Sequence, residues 1–355
     1  MSQANPNELK RQTARYAETD TKKSLFQVCN TIVPFVLLWC AAYAGLSVSY
    51  ALALLFAAAA SGFLIRTFIL FHDCCHQSFF KSRRANDLLG TLTGVLTHVP
   101  YRRWKHDHSV HHATSGNLDK RGVGDIWMMT VAEYAASPWW RKAGYRLYRN
   151  PAVMFGLGPI AVFLIQYRFN RKGASRKERM NTWLTNILII AMYLLLGLVA
   201  GWKAMLAVQF PIFYLAGVLG IWLFYVQHTF EHSYFEPSNE WDFVQAAVEG
   251  SSYYKLPKPL QWITGNIGFH HVHHLNQKVP NYRLEQAHHA APLLRLAPVI
   301  TLRSSLKSLR FRLWDETGKT FVSFKEAKAL LRSTQVRDAA GIATKKGKIA
   351  AKSPA

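Results

Sequence analysis

The stretch 50–76, YALALLFAAAASGFLIRTFILFHDCCH, is apolar over most of its length and then ends in two histidines, His72 and His76. A helix needs ~20 predominantly apolar residues to cross the hydrocarbon core of a bilayer, and this stretch supplies them before its first histidine. Helical spacing puts positions i and i+4 on one face, so both imidazoles point the same way at the membrane's edge. Imidazole is the commonest protein ligand for metals. The span is therefore read as one that delivers metal ligands to a membrane surface.

Two further clusters repeat the signal. HSVHH at 108–112 offers His108, His111 and His112, and HHVHH at 270–274 offers His270, His273 and His274. At this chain's histidine frequency one HxxHH is expected by chance in only ~2% of chains of this length, so two are not coincidence. Tetrahedral zinc takes four ligands, and an array of eight histidines implies two metals. Imidazole-rich, thiolate-free ligation suits iron with positions open for oxygen, although copper and zinc share the ligand type. A pair of irons would use about nine nitrogen donors. His228, closing the last apolar span in YVQHTFEH, is the choice for the ninth, with His232 one helical turn later as the alternative.

Other residues near the clusters have plainer readings. His106 and His271 adjoin the boxes as ligands or supports, and His98, His288 and His289 read as amphipathic side chains with a satisfied polar tip. Cys74 and Cys75, between His72 and His76, point elsewhere on a helix and read as packing residues. His228, Glu231 and His232 also spell HxxEH, the inverted zinc-peptidase pattern, which leaves the other clusters unexplained.

Four apolar spans are predicted, at about 25–46, 48–70, 183–201 and 205–227, joined as two tight hairpins around Gly45–Ser49 and Gly201–Lys203. The fold expected is all-α and integral to the membrane, with a cytosolic helical cap holding the metals. The chain carries 43 Lys and Arg against 20 Asp and Glu, a net charge of +23, and the basic residues avoid the spans. By the positive-inside rule the N-terminal segment 1–24, the 72–180 region and the C-terminal third are cytoplasmic, as are both termini. That places all three clusters on one side, provided that 88–99 and 152–167 are interfacial or re-entrant rather than crossings. The membrane domain is read as 25–335 and the tail 336–355 as disordered and basic. The polar N-terminus is unlike a cleavable signal peptide. Nucleic acid is excluded as a partner: there is no zinc finger, RNP-type motif or basic heptad helix, and the basic clusters flank membrane spans.

Read together, HDCCHQSFF, WKHDHSVHHATSGNLDKRGVGDIW and NIGFHHVHHLNQKVPNYRL resemble the three histidine boxes of the membrane-bound fatty acid desaturases, most like bacterial acyl-lipid members. YVQHTFEHSYFE resembles the segment of that branch that carries an extra ligand, which supports His228. Departures are Cys75, where the family commonly has glycine, and His232, where an acidic residue often stands. The resemblance implies a di-iron centre held by His72, His76, His108, His111, His112, His228, His270, His273 and His274, in a four-helix stem under a cytosolic cap. It implies O2-dependent insertion of a cis double bond into a lipid-linked acyl chain, of delta-12/omega-6 or delta-5 type, in a bacterial inner membrane.

Removing hydrogen from an unactivated methylene needs an oxidant that no side chain supplies. Asp73, Asp107, Asp125 and Glu231 are candidates to fix ring tautomers of the ligands. The sequence has no flavin or nicotinamide fingerprint and no cysteine set for an iron–sulfur cluster, so electrons must come from a separate donor such as ferredoxin or flavodoxin. A hydroxylase or ketolase is the alternative enzyme. A zinc or iron transporter is the alternative of another class, disfavoured because the histidines gather at one face rather than at mid-membrane.

Overall fold

The computed structural model describes residues 6–333. The tail expected at 336–355 lies outside the described residues. Four helices are long and apolar enough to cross a membrane: Thr21–Gly45, Tyr50–Cys75, Arg176–Ala200 and Trp202–His228. They correspond one for one to the predicted spans but run longer at the ends that approach the histidines. The third begins at Arg176 rather than 183, because Ser175 caps it by accepting from the Glu178 amide and the residues that follow are polar helix formers. Hydropathy sees only the apolar part of such a helix. The second has 26 residues, ~39 Å at 1.5 Å each, against a hydrocarbon core of ~30 Å. It is thus longer than the core is thick, and its polar end, with His72 and Asp73, is the end suited to lie outside the lipid.

Both hairpins are tight. The first turns through residues 46–49, with Ser49 capping the second helix through the Leu52 amide. The second turns on Gly201 alone, at φ +83°, a conformation that favours glycine. The stem core joins the first, second and fourth helices through Phe35, Ala57, Ala60, Leu64, Val208 and Ile212. Alanines at this contact let backbones approach closely, which is how helices associate in lipid. The third helix instead presents Ile187, Ile190, Leu195, Leu198 and Val199 outward, as a lipid-facing surface should.

The two ambiguous apolar stretches do not form long apolar helices. Arg83–Leu96 is a 14-residue amphipathic helix with Leu88 and Leu92 exposed. The 152–167 stretch is broken into Pro151–Gly156, a wide turn over Ile160–Ile165 and a tight one over Gln166–Arg168, with Pro159 packed on the fourth spanning helix at Gly217. One charge does lie within a span. Arg66 is buried, donates from Nε to Thr31 Oγ1 at 3.0 Å, reaches the Trp262 carbonyl and stacks on the Trp262 ring. It ties the first two spans to the Lys258–Ile263 helix.

Beyond the stem, the cap is made of short helices, two small sheets and loops. The Phe243–Val248 helix packs on the His270–Leu275 helix around Val244, Val248, Phe269 and Val272. Strands Leu313–Asp315 and Thr320–Val322 form an antiparallel hairpin that pairs with Met129–Thr130. The segment leading into this hairpin is also tied to the fourth spanning helix: Tyr225 Oη donates to the Ser308 carbonyl at 2.7 Å, and Ser308 Oγ donates to the Thr229 carbonyl at 2.6 Å.

Candidate metal centre

The second cluster lies on the helix Tyr101–Thr114 and the third on His270–Leu275. His72 is in the last turn of the second spanning helix, His76 caps it, and His228 ends the fourth. Their imidazole nitrogens gather into two groups. One holds His72, His76, His108, His112 and His273, the other His111, His228, His270 and His274, with ligand atoms within 4.8 Å of one another in each. Helical geometry explains the division. In each HxxHH the i, i+4 pair shares one direction while the histidine at i+3 is turned away from its neighbour at i+4. His108 and His112 therefore enter the first group and His111 the second, while His270 and His274 enter the second and His273 the first.

The separations fit a shared cation. Nitrogens bound at ~2.1 Å to one metal lie about 3.0–3.4 Å apart at octahedral or tetrahedral angles. Observed Nε2···Nε2 distances are 3.0 Å for His108–His112 and 2.9 Å for His112–His273. In the other group they are 3.2 Å for His111–His228, 2.9 Å for His228–His270 and 3.1 Å for His270–His274. His111 Nδ1 faces Asp125 Oδ1 at 2.5 Å and His228 Nδ1 faces the Gly250 carbonyl at 3.2 Å. With each Nδ1 turned to an outside acceptor, the Nε2 atoms are the ones turned inward and offered to a shared cation. Five imidazoles in one group exceed the four ligands of a tetrahedral zinc site, and no thiol joins either group, so the donor set fits a pair of iron ions.

The surroundings disfavour protonation of several of these imidazoles and orient others. Burial first, and neighbouring imidazoles second, push His76, His108, His112, His270, His273 and His274 well below the ordinary imidazole value. Asp73 Oδ1 lies 3.2 Å from His72 Nδ1, while its Oδ2 accepts from the Asn281 main-chain amide at 2.7 Å and from Asn281 Nδ2 at 2.8 Å. Asn281 Oδ1 in turn accepts from Gln27 Nε2 at 2.6 Å. A buried polar chain thus runs from the first spanning helix to a candidate ligand. Gln27, Asn281 and Gly250 were not singled out from the sequence. Asn281 lies within NQKVPNYRL, but only the fold reveals its partners.

The remaining candidates are placed apart from the two groups. The fourth spanning helix ends at His228, so His232 does not follow one turn below it but stands exposed in the cap. It is in neither group, and the HxxEH reading fails with it. Glu231 is exposed and pairs with Lys307 at 3.6 Å. Asp107 faces Arg103, Arg171 and the exposed His106. His271 is buried behind the third box, its Nε2 2.9 Å from His288 Nδ1. His98, with φ +60°, meets the Tyr193 hydroxyl at 3.0 Å. Cys74 and Cys75 are buried packing residues.

A cavity reaches the second group from the cap, lined by His111, His228, Asp125, Phe224, Trp127 and Phe321 among others. His228 is half-buried while the other eight histidines are buried. The small cavity thus borders the group with one fewer imidazole.

A sequence profile of the fatty acid desaturase family matches residues 46–299. A fatty acid desaturase of Bacillus subtilis (strain 168) is 61% identical over 321 residues, 90% of this chain and 91% of that protein. The sn-1 oleoyl-lipid 12-desaturase of Synechocystis sp. is 27% identical over 242 residues, 63% of this chain and 64% of its own length. The sn-1 acyl-lipid omega-3 desaturase (ferredoxin) of Nostoc sp. is 29% identical over 236 residues, 62% of each chain. Since the profile spans every one of the nine converging histidines and most of the stem beneath them, the chain belongs to the fatty acid desaturase family.

Proposed function

We propose that the protein is an O2-dependent acyl-lipid desaturase. In this reading His72, His76, His108, His112 and His273 hold one iron, and His111, His228, His270 and His274 hold the other. The observation that carries it is the division of nine histidines into two convergent groups at one end of four spanning helices. Bound iron would supply the dioxygen activation that side chains lack. In the overall reaction two C–H bonds break and one carbon–carbon π bond forms. The substrate gives up two electrons and two protons, a donor gives two electrons, two further protons come from solvent, and O2 leaves as two waters.

The chain's own residues prepare this chemistry. Buried imidazoles such as His76 and His108 stay unprotonated and free to bind metal. Asp73, Asp125 and the Gly250 carbonyl hold the Nδ1 protons of His72, His111 and His228, so that Nε2 points inward. Phe224, Trp127 and Phe321 line the small cavity beside the second group with apolar surface.

The names of the Synechocystis and Nostoc relatives favour a lipid-linked acyl substrate. The name of the first of these favours a delta-12/omega-6 position, with delta-5 as the other position considered. The name of the Nostoc relative also favours ferredoxin as donor, with flavodoxin or a similar carrier as the alternative. The basic segments at the histidine end of the stem support a bacterial cytoplasmic membrane location with the metals and both termini on the cytoplasmic side.

The test is expression in a host that lacks the product fatty acids, followed by mass spectrometry of its lipids with the double bond located by derivatisation. New cis-unsaturated acyl chains are expected. Hydroxy acids without new double bonds would overturn the desaturase reading in favour of a hydroxylase.

A further inference from the structure

His76 caps the second spanning helix at its polar end, and its main-chain carbonyl accepts from Lys278 Nζ at 2.8 Å. Lys278 is exposed, as are Arg83, whose charge acts on it, and Arg102, with Lys105 half-buried. Asp87 is the carboxylate shared within this face, 3.5 Å from Arg102 Nη2 and 3.9 Å from Lys105 Nζ. It also accepts from Gln77 and from the Tyr101 hydroxyl. Asp73, the other nearby acid, is buried and taken up by His72 and Asn281. Burial, and then repulsion from Lys105 and Arg83, holds Lys278 below the ordinary lysine value. Cations are thus crowded over a candidate metal ligand with too few acids to balance them, an arrangement that costs stability unless an anionic partner covers it.

We propose that this basic face over His76 is where an acidic electron-carrier protein docks. The inference rests on the desaturase reading, whose reaction requires two electrons per turnover from outside the chain. Lys278 Nζ holds the His76 carbonyl and Lys105 belongs to the second-box helix, so a carrier seated on this face would stand against the segments that lead directly to the first histidine group. Complementary charge speeds encounter and fixes orientation, and its signature is a strong dependence on salt. The cavity at His228 borders the other histidine group, so the carrier's face and that cavity are separate.

The test uses full-length protein in neutral phosphatidylcholine nanodiscs, in iron-loaded and metal-free forms, with a plant-type [2Fe–2S] ferredoxin as the probe. The combined variant Arg83→Glu, Arg102→Glu, Lys105→Glu should weaken ferredoxin binding about tenfold or more and flatten its salt dependence. Neutral replacements at the same positions, with Lys278→Gln tested separately, should give smaller losses in the same direction. Lys203→Glu, at the opposite end of the stem, should leave binding unchanged. Unchanged ferredoxin affinity in the reversed variant would overturn the proposal. So would a loss confined to binding of phosphatidylglycerol vesicles, which would assign the face to anionic lipid. Binding to the metal-free form reports on the surface whether or not the protein makes double bonds, so its failure is distinguishable from failure of the desaturase reading.

Discussion

At the scale of single residues, the two histidine groups are held by side chains that belong to neither. Asn281 gives both its main-chain and side-chain N–H groups to Asp73 and receives one from Gln27. Asn281→Leu removes the side-chain donor and leaves Asp73 and Gln27 short of partners, each buried orphan costing about 1–3 kcal/mol. Metal affinity should fall roughly 10–100-fold, the usual effect of losing the support of a ligand; iron titration of the variant checks this. A pH dependence follows from the six depressed imidazoles. Below ~6.5 the unfolded chain takes up protons that the folded metal-free protein refuses. Stability should therefore be full above about pH 6.5 and drain away as pH falls below it, measured as the melting temperature of metal-free protein between pH 8 and 5. The spacing of the boxes made eight of the histidines legible, and His228 was legible from its place at a span's end. Which metal each would serve was not, because His111 and His112 are neighbours in sequence and part company only once two helices are docked. Of four carboxylates considered, Asp73 and Asp125 face candidate ligands while Asp107 and Glu231 face arginine, lysine or solvent, a distinction made by how the helices and loops dock, which no local pattern encodes.

At the scale of elements, the second-box helix is set by one close approach. A Cβ on Gly90 would overlap the Tyr101 ring, and Tyr101 anchors its helix through a hydroxyl whose one proton lies between the Cys74 carbonyl at 2.8 Å and Asp87 Oδ1 at 2.9 Å. Gly90→Ala should push the ring aside and cost about 1–3 kcal/mol, the range for overpacking a filled site. Because Tyr101 opens the helix that carries His108, His111 and His112, iron content should fall with it; calorimetry and metal analysis of the same sample test both. Hydropathy found the four spans because lipid demands long apolar helices. It missed their polar extensions, such as Arg176–Arg179, which are stabilised by capping and propensity instead. The apolar stretch 88–99 reads from sequence as interfacial or re-entrant; the structure puts most of it in the amphipathic Arg83–Leu96 helix, whose role as the bed for Tyr101 depends on a glycine whose neighbour is eleven residues away.

At the scale of the whole molecule, the two hairpins put both turns at one end of the stem and all nine histidines at the other. Ser47, exposed in the first turn, and Gln286, exposed in the cap, should therefore lie across the bilayer from each other. With native cysteines replaced by serine, Ser47→Cys should react with a membrane-impermeant maleimide in intact cells, and Gln286→Cys only after permeabilisation. The opposite pattern would invert the topology proposed from the positive charge, and labelling of both from one side would break the hairpin arrangement. The interlaced assignment of the boxes has a further result. Each triad helix sends side chains to both centres, so filling either one orders the scaffold of its twin. Titrating metal-free protein with ferrous ion should then give a sigmoidal curve in which doubly occupied molecules accumulate at the expense of singly occupied ones, as native mass spectrometry can count. Loading of one centre to completion before the other begins would show instead that they assemble as strangers.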